Sequence, residues 1–358
     1  MTAKHIVQSV GVIFKDAWKW HRLTLGMLVV SVFESERLTV TEMGRALDVD
    51  TVPKHAIKRV DRWLGNRRFD DKKAREDLLH VVIGPRPRVL IAIDWTKLRR
   101  WPVLVAGVVQ RGRAVPVLWA VADPAKLYKS QNAFEHGFFA WLKTALPEGV
   151  EAILVLDRGF KRVDIVSHLK GFEFVIRTGG NVHVESLEYC GRMDGLIRRR
   201  GVERDITDAV LRPSRPVAVR VVGVWAAKCK EPWLLMTNMR VAARRVVALY
   251  AKRFQIEEMF RDQKDWRYGL QAGHTLVRST QRLERILLIA ALVQFFAMLI
   301  GAAARNLGLD RGFRANTVRT RATHSDFALG MYYALRNTWR RSILLENFYL
   351  EGWAAFRG

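Results

Sequence analysis

Apolar residues in positions 1–82 recur at the spacing expected for helices. Residues 39–47 predict a short capped helix. Thr51 is predicted to cap a second helix, which has Pro53 in its first turn and ends at Gly65. The basic residues of this second helix fall opposite its apolar stripe: Lys58, Arg59 and Arg62. The pair predicts either a helix-turn-helix unit or an ordinary helical bundle with a solvated basic face.

Residues 83–177 contain short, β-branched apolar runs that predict strands. The predicted strands are residues 89–94, Trp101–Val109, Ala114–Val121, 152–157 and 172–177. A basic turn at residues 110–113 joins the second strand to the third, which is typical of a hairpin. Helices are predicted at residues 132–146 and at Val163–Leu169. This order of elements predicts an α/β domain.

The second half of the chain begins with alternating apolar and polar residues, which predict a mostly β insertion over residues 178–235. The chain then becomes helical. Residues 286–304 are almost continuously apolar, and this run is long enough to span a membrane. Because Gln294 lies at its centre and Arg305 follows it, we favour a buried helix packed on the sheet over a membrane span.

The segment from Tyr250 to Lys264 has the most informative pattern of polar residues. At about 100° per residue, a continuous helix places four polar side chains within an arc of roughly 60°. These are Tyr250, Arg253, Glu257 and Lys264. A carboxylate among basic groups suits a site where the acid holds a metal ion and its neighbours hold phosphates. Surface ion pairing between Arg253 and Glu257 is the alternative.

Two further carboxylates end predicted strands. Asp94 follows the apolar run 89–93, and Asp157 follows the run 152–156. If the two strands share a sheet edge, their aspartates lie close together, and burying like charges is costly unless a cation joins them. Carboxylate oxygens favour Mg²⁺ or Mn²⁺ over Zn²⁺. For either aspartate alone, a turn residue at a strand end is the alternative.

Composition favours a nucleic-acid partner. The chain has 60 Lys and Arg against 35 Asp and Glu, a formal charge of +25, which attracts phosphate backbones. Hydrophobic residues make up 49% of the 358 residues, which argues against a disordered basic protein. Cys190 and Cys229 stand apart without zinc-ligand spacing, so neither a zinc site nor a disulfide is predicted. A cytoplasmic location is expected.

The spacing Tyr-x2-Arg-x3-Glu-x6-Lys in residues 250–264 resembles the signature of a group of bacterial insertion-sequence transposases, the cut-and-paste DDE type. Asp94 and Asp157 match the places of that family's first and second catalytic aspartates, and Glu257 matches its third acid. The resemblance implies a ribonuclease-H-like core. It also implies cleavage and joining of DNA strands by phosphoryl transfer at two divalent metal ions, Mg²⁺ or in its place Mn²⁺, held by these three acids.

The same resemblance implies roles for other residues. Tyr250, Arg253 and Lys264 are expected to clamp DNA phosphates. Trp233 opens the run Trp-Leu-Leu-Met-Thr and matches a tryptophan that can stack where a base is flipped out; packing in the core is the alternative. The expected partner is double-stranded DNA, namely the inverted-repeat ends and the target, bound by a homodimer. A hairpin intermediate in excision is left open.

The predicted regions are residues 1–82, an N-terminal helical DNA-binding domain; 83–177, the first part of the ribonuclease-H-like core; 178–235, the β-rich insertion; 236–305, the second part of the core with the Glu257 helix; and 306–358, a helical C-terminal tail. Two functions remain as alternatives to a transposase. One is a ribonuclease-H-like nuclease of the junction-resolvase type, against which the N-terminal region and the insertion argue. The other is a catalytically inactive DNA-binding protein derived from a transposase, against which the intact acids argue.

Overall fold

The computed structural model describes residues 2–211, 216–227, 229–265, 267, 269–315, 317–318 and 321–335. In this part of the chain, eleven α-helices accompany one sheet of ten strands, most of them antiparallel to their neighbours. The fold is therefore mixed α/β. The end of the predicted C-terminal tail, residues 336–358, lies outside the described residues.

Five helices precede the first strand: Ala3–Ile13 (α1), Lys19–Ser35 (α2), Val40–Arg45 (α3), Pro53–Leu64 (α4) and Asp71–Ile83 (α5). The predicted cap of α3 is confirmed, since the Thr39 side chain accepts a hydrogen bond from the backbone N–H of Glu42. The predicted cap of α4 at Thr51 is wrong. Val52 occupies the capping position without a side-chain hydrogen bond, and Pro53 supplies the preset backbone angle of the first turn.

The central region contains five strands and two α-helices: Arg88–Leu98 (β1), Trp101–Val109 (β2), Ala114–Val121 (β3), Pro124–Leu127 (α6), Gln131–Ala145 (α7), Glu151–Leu156 (β4) and Glu173–Arg177 (β5). The predicted bounds of β2 and β3 are confirmed. The predicted end of β1 at Asp94 is wrong, because residues 91–98 pair with β2 and carry the strand on to Leu98. Val163–Leu169 is a 3-10 helix.

Five more strands extend the same sheet: His183–Glu185 (β6), Cys190–Arg192 (β7), Glu203–Leu211 (β8), Val217–Val224 (β9) and Trp233–Thr237 (β10). The strand order is β3-β2-β1-β4-β5-β10-β9-β8-β6-β7. Strands β1, β4 and β5 run parallel, and β10 pairs antiparallel with both β5 and β9. The β-rich segment therefore forms the far end of the same sheet, and its last strand, β10, joins it to β5.

The remaining α-helices are Ala243–Ala251 (α8), Phe254–Lys264 (α9), Thr280–Asn306 (α10) and Asp326–Tyr333 (α11). The predicted continuous helix over residues 250–264 is wrong, because α8 ends at Ala251 and α9 begins at Phe254. Between them, the N–H groups of residues 252, 253, 255 and 256 bond to carbonyls three positions earlier. These 3-10-type bonds form a tight turn between the two helices.

Within the described residues, α10 is the helix long and apolar enough to cross a membrane, and its apolar window is entirely buried in the protein. It packs against α11, α2 and β3. This packing confirms the predicted buried helix. Gln294 of α10 lies 3.4 Å from Gln263 of α9, measured between their side-chain oxygen and nitrogen. The buried helix thus supports the helix that carries Glu257.

Candidate active site

Asp94 and Asp157 occupy equivalent positions on adjacent parallel strands. β1 and β4 pair in register up to Ile93 and Leu156, so the next residue along each strand is an aspartate. Asp94 continues in β1, whereas Asp157 leads into the 3-10 turn Arg158–Phe160. The pairing of two apolar strands therefore brings two carboxylates to the same level of the sheet.

Glu257 approaches these aspartates from the first turn of α9, and the guanidinium of Arg253 contacts all three acids. Its Nη1 lies 3.4 Å from Asp94 Oδ2 and 3.9 Å from Asp157 Oδ2, and its Nη2 lies 2.5 Å from Glu257 Oε1. Only 5% of the Arg253 side chain is exposed. Three carboxylates from three elements thus converge on one buried cation. We call Asp94, Asp157 and Glu257 the acid cluster.

The acid cluster carries more negative charge than Arg253 alone neutralises. Burial raises the pKa of Asp94 to about 6; Arg253 opposes this rise, while Asp157 and Glu257 add to it. For Arg253, burial acts to lower the pKa, but Asp157, Tyr250 and Glu257 raise it above its usual value. A second cation would relieve the repulsion between the carboxylates.

Tyr250 and Trp233 border the acid cluster. The Tyr250 hydroxyl donates a hydrogen bond to Asp157 Oδ1 at 3.2 Å. Burial raises the pKa of Tyr250 to about 12, so its hydroxyl keeps its proton at neutral pH. Trp233, at the start of β10, packs edge-on against the Tyr250 ring with 4.9 Å between ring centroids, and it is partly exposed. An aromatic side chain therefore lies next to a residue that contacts an acid.

Lys264 ends α9 and donates a hydrogen bond from Nζ to Thr96 Oγ1. Thr96 lies two residues beyond Asp94 in β1, and strand alternation places both on the same face of the sheet. Burial lowers the pKa of Lys264, while the charge of Asp94 acts to raise it. Residue type and motif spacing do not mark Thr96 as a site residue. Its place two residues after Asp94 on a strand is the one sequence signal that puts it on the same face as that aspartate.

The carboxylate next to Glu257 lies outside the acid cluster. Glu258 Oε2 lies 2.8 Å from Arg261 Nη1 and 3.5 Å from Arg113 Nη2, so its carboxylate pairs with basic residues on another side of α9.

The four polar residues of the 250–264 segment, Tyr250, Arg253, Glu257 and Lys264, remain on one side despite the break between α8 and α9. The tight turn carries Arg253 between Tyr250 and Glu257.

The basic residues predicted to bind DNA in the N-terminal region lie on a different element from the acids. On α4, Lys58 and Arg62 are exposed and Arg59 is half-buried. Asp61 of the same helix pairs with Arg282 of α10. The structure therefore brings Tyr250, Arg253, Lys264 and Trp233 to the acid cluster or its border, whereas the α4 residues belong to the N-terminal helices.

The acid cluster fits a divalent metal ion. Its carboxylates supply the hard oxygen ligands that Mg²⁺ and Mn²⁺ prefer. The Asp157 and Glu257 side chains are 34% and 47% exposed, so water and an ion can reach them. Within the described residues, the buried Nε of Arg253 has no hydrogen-bond partner, so no bond at this atom fixes the guanidinium.

Comparison with curated proteins finds no match for the chain. A family model does match: residues 85–294, more than half of the 358, match the family described as transposase DDE domain. The matched segment begins just before β1 and ends within α10, and it includes Asp94, Asp157 and Glu257. The chain therefore belongs to the transposase DDE domain family.

Proposed function

We propose that this transposase cleaves the ends of a mobile element and joins them to target DNA by phosphoryl transfer, with two divalent metal ions at the acid cluster. The convergence of Asp94, Asp157 and Glu257 around Arg253 is the observation that carries this proposal. Membership of a transposase family supports the reaction class. We infer Mg²⁺ as the ion and Mn²⁺ as its substitute, because all three ligands are carboxylates.

Each residue of the site has a separate task in this proposal. Asp94, Asp157 and Glu257 would hold the ions, which would supply activation of the attacking oxygen and stabilisation of the leaving oxygen. Arg253, no longer needed to balance the carboxylates, would offer two parallel N–H donors to a DNA phosphate. Tyr250 supplies one hydrogen bond from a hydroxyl that stays protonated, and Lys264 supplies a point charge.

The architecture around the site supports assigning a role to each region of the chain. We infer a ribonuclease-H-like core that includes β1–β5, α7 and α9 and is interrupted by the β-rich insertion of residues 178–235. The N-terminal helices are proposed to bind the element's end through Lys58, Arg59 and Arg62. The formal charge of +25 suits double-stranded DNA as the partner. We further propose that a homodimer assembles on DNA, in the bacterial cytoplasm.

Trp233 suits a role in hairpin formation, which we include in the proposal. It is partly exposed beside Tyr250, where its indole can stack in the space of a flipped base. Base–aromatic stacking is worth about 1–3 kcal/mol. With Trp233→Ala, we expect the first nick to persist and the hairpin step to slow, with partial rescue by an abasic site at the flipped position. Loss of folding without a step-specific defect would place Trp233 in the core instead.

A cleavage assay tests the proposed reaction. Its substrate is DNA that carries the terminal inverted repeats flanking the gene, supplied with Mg²⁺. Asp94→Asn, Asp157→Asn and Glu257→Gln should each abolish strand cleavage while end binding persists, because these ligands serve the chemistry. Glu258→Gln is the matched control, since it alters the adjacent carboxylate that pairs with Arg261, and it should retain most activity. Essential Glu258 with dispensable Glu257 would contradict the assignment.

A further inference from the structure

Glu135 of α7 is a buried carboxylate outside the acid cluster, with 1% of its side chain exposed. Its Oε1 accepts hydrogen bonds from Trp95 Nε1 and from Gln131 Nε2, each at 2.8 Å. Its Oε2 accepts a hydrogen bond from Arg162 Nη2 at 2.5 Å. Both oxygens are therefore satisfied, as a buried carboxylate requires.

Two of these partners belong to the segments that carry the catalytic aspartates. Trp95 directly follows Asp94, and its backbone N–H donates a 2.8 Å hydrogen bond to Asp94 Oδ1. Arg162 lies five residues after Asp157, at the end of the turn that begins there and at the start of the 3-10 helix Val163–Leu169. One carboxylate thus connects the chain beyond Asp94 with the chain beyond Asp157.

The connection is made from the face of the sheet opposite the acid cluster. Side chains alternate along β1, so the Trp95 indole and the Asp94 carboxylate project to opposite faces. The indole is also packed by Phe134, the residue before Glu135, with 5.5 Å between ring centroids. Glu135 therefore acts through Trp95 and Arg162 rather than on the reacting atoms.

We propose that Glu135 is a positioning residue that sets the separation of Asp94 and Asp157, and thereby the affinity of the acid cluster for divalent ions. Residues that orient metal ligands typically change metal affinity by about 10–100-fold when they are replaced. The pairing of β1 with β4 holds the two strands together only up to Ile93 and Leu156. Without Glu135, the segments that follow the two aspartates lose the anchor that Trp95 and Arg162 share. The proposal rests on the proposed function, in which these aspartates hold the ions.

Mn²⁺ binding to the full chain without DNA, followed by electron paramagnetic resonance, tests this role without an activity assay. Glu135→Ala should weaken Mn²⁺ binding by about tenfold or more. Glu135→Gln should lose less, because its amide oxygen still accepts from the indole while the charge opposite Arg162 is removed. Trp95→Phe keeps the ring but removes the indole N–H, and it should also weaken Mn²⁺ binding.

The chain offers a matched control on the same helix. Trp141 of α7 donates its indole N–H to Glu76 Oε1 of α5 at 2.7 Å, so Glu76→Ala breaks the same kind of hydrogen bond away from the aspartates. It should change Mn²⁺ affinity by less than about twofold. Unchanged affinity in folded Glu135→Ala, or an equal loss in Glu76→Ala, would overturn the proposal.

Two further variants distinguish a failure of the positioning role of Glu135 from a failure of the proposed metal site. If Glu135→Ala does not fold, Trp95→Phe decides, and an unchanged Mn²⁺ affinity in that variant overturns the positioning role. Asp94→Asn reports on the acid cluster itself. Equal Mn²⁺ binding by Asp94→Asn and the unaltered chain would remove the proposed metal site, and this inference with it. Loss of binding in Asp94→Asn but not in Glu135→Ala would remove the inference alone.

Discussion

Arg253 and Arg285 are both buried arginines that contact acids, and they differ in how completely their surroundings satisfy them. Arg285 of α10 is 0% exposed. It pairs through two atoms with Asp71, at 2.7 and 3.0 Å, and its Nη1 donates to the Leu64 carbonyl at 2.9 Å. The carbonyls of Trp63 and Phe69 complete five contacts, which equals the number of guanidinium N–H donors.

The surroundings of Arg253 satisfy its guanidinium less completely than those of Arg285. Arg253 faces three carboxylates, its Nε lacks a hydrogen-bond partner among the described residues, and the pKa of neighbouring Asp94 is raised to about 6 by burial. Arg285 joins the end of α4 and the start of α5 to α10 in a balanced contact. Arg253 is held among excess negative charge, which agrees with the proposal that ions and substrate bind at this cluster. Under the proposed function, completeness of pairing separates Arg285, which serves the fold, from Arg253, which serves the site.

The largest effect on stability is expected from Arg285→Ala. Removing this guanidinium leaves Asp71 and three carbonyls without their buried donor, which should lower the free energy of unfolding by about 3–5 kcal/mol. Urea denaturation at pH 7.5 measures the change. Arg282→Ala, one turn earlier on α10, is the control, since its pair with Asp61 is more exposed and should contribute at most about 1 kcal/mol. Equal losses of stability in Arg285→Ala and Arg282→Ala would contradict the description of Arg285 as a completely paired, buried arginine.

Asp94→Asn is expected to raise the stability of the metal-free protein, by an amount between the other two effects. Unfolded Asp94 loses its proton near pH 4, whereas the folded carboxyl keeps it until about pH 6. Stability therefore falls as pH rises from about 4 to 6, and the full penalty of about 3 kcal/mol remains above that range. Asparagine removes this penalty, so the variant should be more stable at pH 7.5 and similar to the unaltered chain below pH 4. A destabilised variant at pH 7.5 would show that Asp94 pairs favourably with Arg253.

The smallest effect is expected from Arg253→Ala, which should destabilise the metal-free protein by about 1–3 kcal/mol at pH 7.5. Mn²⁺ should reverse this loss, because a bound cation replaces the missing charge and no longer competes with the arginine. At a hundred times its Kd, a ligand adds about 2.7 kcal/mol of stability. Arg285→Ala should gain no more from Mn²⁺ than the unaltered chain does. Equal Mn²⁺ stabilisation of the two arginine variants would contradict the distinction drawn between them.

Local sequence patterns predicted the parts of the fold that depend on neighbouring residues. The bounds of β2 and β3 follow from apolar runs separated by a turn, and the cap of α3 follows from Thr39. The aspartates could be placed at one sheet edge because each follows a strand-like apolar run. The continuation of β1 beyond Asp94 could not be predicted, since it depends on pairing with β2.

The contacts that define the site depend on residues far apart in the chain. The helical spacing placed Arg253 and Glu257 on one face, but it did not predict the tight turn that separates α8 from α9. Nor did it indicate that Arg253 contacts Asp94, which precedes it by 159 positions. Glu135 contacts residues 40 and 27 positions away, and a single sequence contains no signal for such pairs. Local sequence patterns therefore selected the three acids as candidates, whereas the contacts of these acids required the tertiary structure.

The most direct test of the central claim is anomalous diffraction from crystals of the full chain soaked in Mn²⁺. We predict an anomalous peak among the carboxylate oxygens of Asp94, Asp157 and Glu257. The Arg253 guanidinium should move away from the acids in the same crystals. Mn²⁺ at full occupancy elsewhere, with Arg253 still in contact with all three carboxylates, would contradict the assignment of this cluster as the metal site.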